Sequence, residues 1–103
     1  MLRSYDVVHV RVYGQNLIIV PLSPLFEFIG ISGKCAALAL FNSGMRRAGL
    51  AGEVVLVWPD DFGYGMYGPG YWLPFVKLFS LEEIYDMVNR QVWFDLTQPL
   101  VTT

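Results

Sequence analysis

The chain is 103 residues long, 54% hydrophobic and only 16% charged, with a formal net charge of −2. That length suits one domain, residues 1–103, because two halves would each be too small to bury a core. The weakly acidic balance argues against nucleic acid and anionic membranes as partners, since phosphate binding rests on a concentrated positive field.

Tyr5 to Tyr13, YDVVHVRVY, alternates. Val8, Val10 and Val12 fall on one face, and His9, Arg11 and Tyr13 on the other, which predicts a half-buried strand. Gly14-Gln15-Asn16 reads as a turn, and Leu17–Leu22, apolar on both faces, as the second strand of a hairpin. Pro21 cannot donate to a ladder and belongs at a strand end or edge. Ser23-Pro24 breaks the run. Leu25–Ile29 fits either a short strand or an apolar lead-in to a helix.

Gly30–Gly33 reads as a turn, with Ser32 capping a helix from Gly33 or Lys34 to Ala48. Leu38, Phe41, Met45 and Ala48 form its apolar stripe. Gly44 within it implies close packing, Arg46 and Arg47 suit the negative end of the helix dipole, and Gly49 is a natural stop. Gly30–Cys35, GISGKC, partly matches a phosphate-binding loop. Phe28 stands where the first glycine belongs, and Cys35 where a Ser or Thr would hold magnesium, so an ordinary capped helix is the simpler reading.

Glu53–Trp58, EVVLVW, is apolar on both faces and predicts a strand in the sheet interior. The next stretch, through Phe75, crowds rings, glycines and prolines together with Asp60 and Asp61. It reads as a long ordered loop, residues 59 to 74, of the kind that often carries function. Tyr71–Phe79 offers a possible edge strand interrupted by Pro74. Ser80 with Glu83 forms a capping box for a second helix, whose stripe is Leu81, Ile84, Tyr85 and Val88. Val92–Leu96 reads as a last strand. Residues 97–103 read as a frayed tail, with Leu100 and Val101 its only anchors.

The order of elements predicts an α+β fold: a two-layer sandwich with a mixed, mainly antiparallel sheet of four to five strands and two helices on one face. The apolar excess in so small a chain, against roughly 25% charged residues in an average domain, predicts a homodimer. No apolar run approaches the roughly 20 residues of a bilayer helix. The start lacks the features of a signal peptide and there is a single cysteine, so cytoplasmic placement is the default expectation.

Three kinds of chemistry are worth weighing. The rings of Trp58, Phe62, Tyr64, Tyr67, Tyr71 and Trp72, with Asp60 and Asp61, are the binding candidates, because Tyr and Trp offer rigid faces with a polar tip. The competing reading is that the rings fold inward or pack on a second subunit. For an enzyme, the candidates are Asp60 and Asp61 as acid and base, or Cys35 with His9 as a nucleophile pair. Against these stand Asp after Pro as a turn element, Cys35 as a buried small hydrophobe, and His9 on a solvated strand face. Lys34, Arg46 and Arg47 give a third, weaker reading as a nucleic-acid-binding helix. One His, one Cys and scattered carboxylates make no metal ligand set, and no cofactor is expected. The leading expectation is a non-enzymatic binding or interaction module, homodimeric, with the Gly/aromatic segment as pocket wall or contact surface and a small molecule or peptide as its ligand.

Overall fold

The computed structural model describes residues 3–94. Its centre is a five-stranded sheet in the order β4-β3-β2-β1-β5. The strands are β1 (Arg3–Val12), β2 (Gln15–Pro21), β3 (Glu53–Asp60), β4 (Gly63–Tyr67) and β5 (Arg90–Phe94). The helices are α1 (Ile31–Arg47), α2 (Leu73–Val76) and α3 (Leu81–Asp86), with a 3-10 helix at Pro24–Phe28. β2 and β3 pair in parallel, and the other three pairings are antiparallel. The fold is an α+β sandwich on a mixed, mainly antiparallel sheet.

β1 and β2 form the expected hairpin, with Val12 opposite Gln15. The turn residues are Tyr13 and Gly14, one position earlier than the sequence suggests. Both have positive φ, 52° and 78°, as a tight hairpin turn requires. Leu25–Ile29 is neither strand nor plain lead-in. The 3-10 helix covers most of it, and the Ser23 hydroxyl accepts from the Leu25 amide at 3.1 Å. α1 starts at Ile31 with Gly30 as N-cap, because the Lys34 amide already bonds the Gly30 carbonyl at 2.9 Å. Ser32 therefore lies inside the first turn and caps nothing. Phe41, Gly44 and Met45 are buried on its inner side.

Two corrections fall on the aromatic segment. Residues 59 to 74 are not one irregular loop: β3 runs on to Asp60, and Gly63–Tyr67 folds back as edge strand β4, with Trp58 opposite Gly65. The Tyr71–Phe79 stretch holds a helical turn, α2, rather than an edge strand, with Pro74 in its first turn, where a missing N–H costs nothing. The Ser80–Glu83 capping box is present, with reciprocal bonds of 3.1 and 2.8 Å. The last strand begins at Arg90. The residues expected as its end and as a tail, 95–103, lie outside the described residues.

The core has two halves, one on each side of the sheet. Ile18, Val20, Val54, Leu56 and Trp58 point to Phe26, Phe41 and Met45, under α1 and the 3-10 helix. Leu17, Ile19, Val55 and Val57 point to Trp72, Val76 and Ile84, under α2 and α3. The helices, expected together on one face, thus divide between both. Strands apolar on two faces need cover on two faces.

Two substitutions test this packing. A Cβ on Gly65 would fall 2.5 Å from the Trp58 ring, whereas one on Gly70 meets nothing within 4 Å. Gly65→Ala is expected to cost about 1–3 kcal/mol in urea unfolding through overpacking, with Gly70→Ala near wild type. Equal midpoints would refute the ring-over-glycine contact. Tyr13, almost fully exposed and left-handed, is expected to gain roughly 0.5–1 kcal/mol on replacement by Asn, which tolerates that conformation better. A lower midpoint for Tyr13→Asn would contradict the turn geometry.

Candidate functional site

The rings singled out in the sequence serve several different purposes. Trp58 is buried in the α1-side core, and its Nε1 donates to Glu27 Oε2 at 2.6 Å. Phe26 lies against it, ring centroids 5.0 Å apart. Trp72 is buried on the other face and donates to Glu53 Oε1 at 3.2 Å. The Tyr71 hydroxyl also donates to the Glu53 carboxylate, although the ring itself is exposed. The Tyr64 hydroxyl lies 2.9 Å from the Val76 carbonyl and 2.6 Å from that of Phe79, pinning α2 to the β4 edge. Tyr67 packs against the α1-side core. Phe62, at the tip of the β3–β4 hairpin, is 99% exposed.

Asp60 and Asp61 belong to that same tip. Asp60 Oδ1 accepts from the Phe62 amide at 2.8 Å, closing the turn. With Glu27, Phe28 and Phe62 they line a cavity of about 300 Å³. The result is a mildly acidic notch with apolar sides, and no histidine or lysine reaches it as a proton partner.

The structure does not bring Cys35 and His9 together. The His9 ring nitrogen Nε2 is 3.0 Å from the Ala51 carbonyl, just before β3. Its backbone N–H and C=O both bond the Asn89 side chain, at 2.8 and 2.9 Å. Cys35 is exposed, contrary to the expectation of a buried thiol, because its position on α1 turns away from the stripe of Phe41 and Met45. Tyr67 stands beside it, and its phenol is held above the ordinary value first by burial and then by the Cys35 thiol.

Lys34 is the buried charge that sequence reasoning missed. Its Nζ lies 3.3 Å from the Glu27 carbonyl, bonds that of Ile29, and sits 5.5 and 5.3 Å from the Phe26 and Trp58 ring centroids. Two carbonyls and two ring faces replace its water. Arg46 and Arg47 are exposed at the other end of α1, some 18 Å away at 1.5 Å per residue. The three cations therefore form no common surface. The signal for Lys34 was its place just after an aromatic run, on a helix start that had to cover it.

A larger hollow, about 930 Å³, opens on the other side of the 3-10 helix. Leu22, Leu25, Phe26, Ile29, Ala37 and Phe41 supply apolar walls. Arg3 to Asp6 of β1 line one side, and Tyr85 and Val88 close it from the α3 side. None of the sequence-chosen site residues borders it. Among the described residues no group of His, Cys, Asp and Glu could hold a metal ion, and no helix is long and apolar enough to cross a membrane.

No family model, curated protein or solved structure matches this chain. The geometry alone therefore carries the functional reading.

Several phenols are held above their ordinary value of 10.0. For Tyr64 the cause is burial, then the Glu83 carboxylate. For Tyr71 it is first the hydrogen bond to Glu53. A phenol with a raised pKa in the folded state keeps its proton while the unfolded chain loses it. Its contribution is therefore complete below about pH 10 and is lost as pH rises through the folded value. The urea midpoint is expected to fall between pH 9 and pH 11, and to fall less steeply in Tyr64→Phe. Parallel curves would show that the Tyr64 hydroxyl does not support the fold.

Proposed function

We propose that this chain is a non-enzymatic interaction module that associates with a second copy of itself through the surface around the 3-10 helix. The observation that carries this reading is the set of large apolar side chains left uncovered there. Phe28 is 84% exposed, and Leu25 and Ile31 nearly as much. Phe62 reaches the same surface from the β3–β4 hairpin, since it and Phe28 line one notch. The hairpin tip is the part of the Gly/aromatic segment that serves as contact surface, while Trp58 and Trp72 hold the scaffold behind it.

Two physical points support self-association over catalysis. The polar groups at the notch are already engaged or lack a proton partner: Asp60 closes its own turn and Glu27 holds Trp58. An apolar patch of this kind is unfavourable in water and is commonly covered by another protein surface. A symmetric dimer covers it with the same residues from the second copy.

Sedimentation equilibrium at micromolar concentration is expected to show a dimer. Phe28→Asp and Phe62→Asp, both at exposed positions, should shift it to monomer while leaving the urea midpoint within about 0.5 kcal/mol of wild type. A wild-type monomer at high concentration, or dimers indifferent to both changes, would refute the proposal.

A further inference from the structure

The hollow beside β1 has the form of a missing strand. In the β1–β2 hairpin a two-residue turn makes Val12 and Gln15 a bonded pair, so Val8, Val10 and Val12 direct their N–H and C=O groups toward β2. Odd-numbered residues direct theirs outward. The Val7 carbonyl and both backbone groups of His9 meet Asn89, just before β5. By the same alternation Ser4 and Asp6 face the β2 side. There the β1–β2 ladder stops at Val8 opposite Ile19.

The stop has a chemical cause. The next donor due to β1 is the N–H of Pro21, which does not exist. Leu22, which faces β3 by the same alternation, bonds the Val57 carbonyl, and Ser23 turns the chain into the 3-10 helix. The Asp6 carbonyl is left without its ladder donor. Ser4 has no backbone partner on that side among the described residues. The first residues of β1 thus form a strand edge inside the sheet, facing a hollow of about 930 Å³.

We infer that this slot binds an extended peptide segment of a partner protein, which adds to the inner edge of β1 where β2 stops. The walls favour such an occupant over a compact apolar molecule. The hollow passes through the plane of the sheet, with Phe26, Ala37 and Phe41 on the α1 side and Tyr85 and Val88 on the α3 side. A strand sends alternate side chains to both faces, so it fills both halves at once. Its backbone supplies what the open groups of Ser4 and Asp6 need, and the pockets on either side select the side chains. Four residues of β1 line the slot, Arg3 to Asp6, giving room for about four strand residues at ~3.4 Å each. Leu25 borders both this hollow and the self-association surface, but Phe28 and Phe62 lie outside the hollow, and the test reads peptide binding, not dimerisation.

The probe is a fluorescein-labelled peptide, Lys-Val-Thr-Val-Thr-Val-Lys, titrated by fluorescence anisotropy. Two N-methylated versions carry the methyl groups on alternate residues, so that each blocks one edge of the peptide. Binding is expected for the parent, with a loss of at least tenfold for one methylated version and less than twofold for the other. Ser4→Pro removes the open N–H while leaving the pairing to β5, which uses odd residues, and is expected to lose at least tenfold with an unchanged melting temperature. If Ser4→Pro melts early, hydrogen exchange on the wild type decides. The Ser4 amide should exchange fast in the free protein and slow when peptide is added. No binding, equal affinity for both methylated versions, or an unprotected Ser4 amide in the complex overturns the inference. A Ser4 amide already slow in dilute free protein shows the slot to be filled from within. Protection that grows with protein concentration alone assigns it to a second copy. Either result overturns the external partner.

Discussion

The parallel pairing of β2 with β3 is the constraint on which the rest of the structure depends. Both strands are apolar on both faces, from Leu17 to Val20 and from Val54 to Trp58, and all of these residues are buried. Two adjacent parallel strands cannot be joined by a tight turn; they need a crossover, and α1 is that crossover. It covers one face with Phe41 and Met45. The other face then demands its own cover, which α2 and α3 provide through Trp72, Val76 and Ile84. Neither short helix would persist alone, since so few residues cannot repay helix nucleation. They are held by packing, by the Tyr64 hydroxyl and by the Ser80–Glu83 box.

Pro21 sets the second boundary. It ends the β2 ladder toward β1, and the chain leaves the sheet two residues later. The 3-10 helix that follows ends at Phe28, which leaves its last carbonyls without intrahelical donors. Lys34 meets them from the first turns of α1, and its charge is steadied by the rings of Phe26 and Trp58. Glu27 in turn takes the indole N–H of Trp58. The 3-10 helix, the start of α1 and the far end of β3 are thereby locked as one unit. That unit presents Leu25, Phe28 and Ile31 outward and walls the slot inward.

Much of the fold could be read from local pattern. Alternation in 5–13, the doubly apolar runs 17–22 and 53–58, and the Ser80–Glu83 spacing each reflect one short-range rule, and each element is present with its ends shifted by a residue or two. The misreadings of the aromatic segment have one common origin, which is reliance on composition where tertiary contact decided. Gly63, Gly65 and the nearby rings suggested a loop, yet Gly65 is a strand residue because the Trp58 ring lies across it. Pro74 suggested a broken strand, yet proline at a helix start is unstrained. The doubly apolar strands already implied helices on both faces, and counting two helices for one layer did not follow that implication through.

The candidate site was legible only in part, for a physical reason. Sequence shows which side chains carry rings, charges or thiols, and those drew attention to Trp58, Trp72, Asp60, Asp61, Cys35 and His9. Most of that chemistry is consumed by the scaffold: indoles on carboxylates, a carboxylate in its own turn, an imidazole on a carbonyl. Among the described residues, what remains open is backbone, at Ser4 and Asp6, and apolar surface around a short helix. An open backbone edge has no composition of its own. It arises from the register between two strands and from one absent N–H, and only Pro21 marked it in the sequence. The proline was visible from the start as a residue that ends a ladder. Which strand would lose its partner, and what would be left facing the gap, depended on where β1 continued after β2 had stopped.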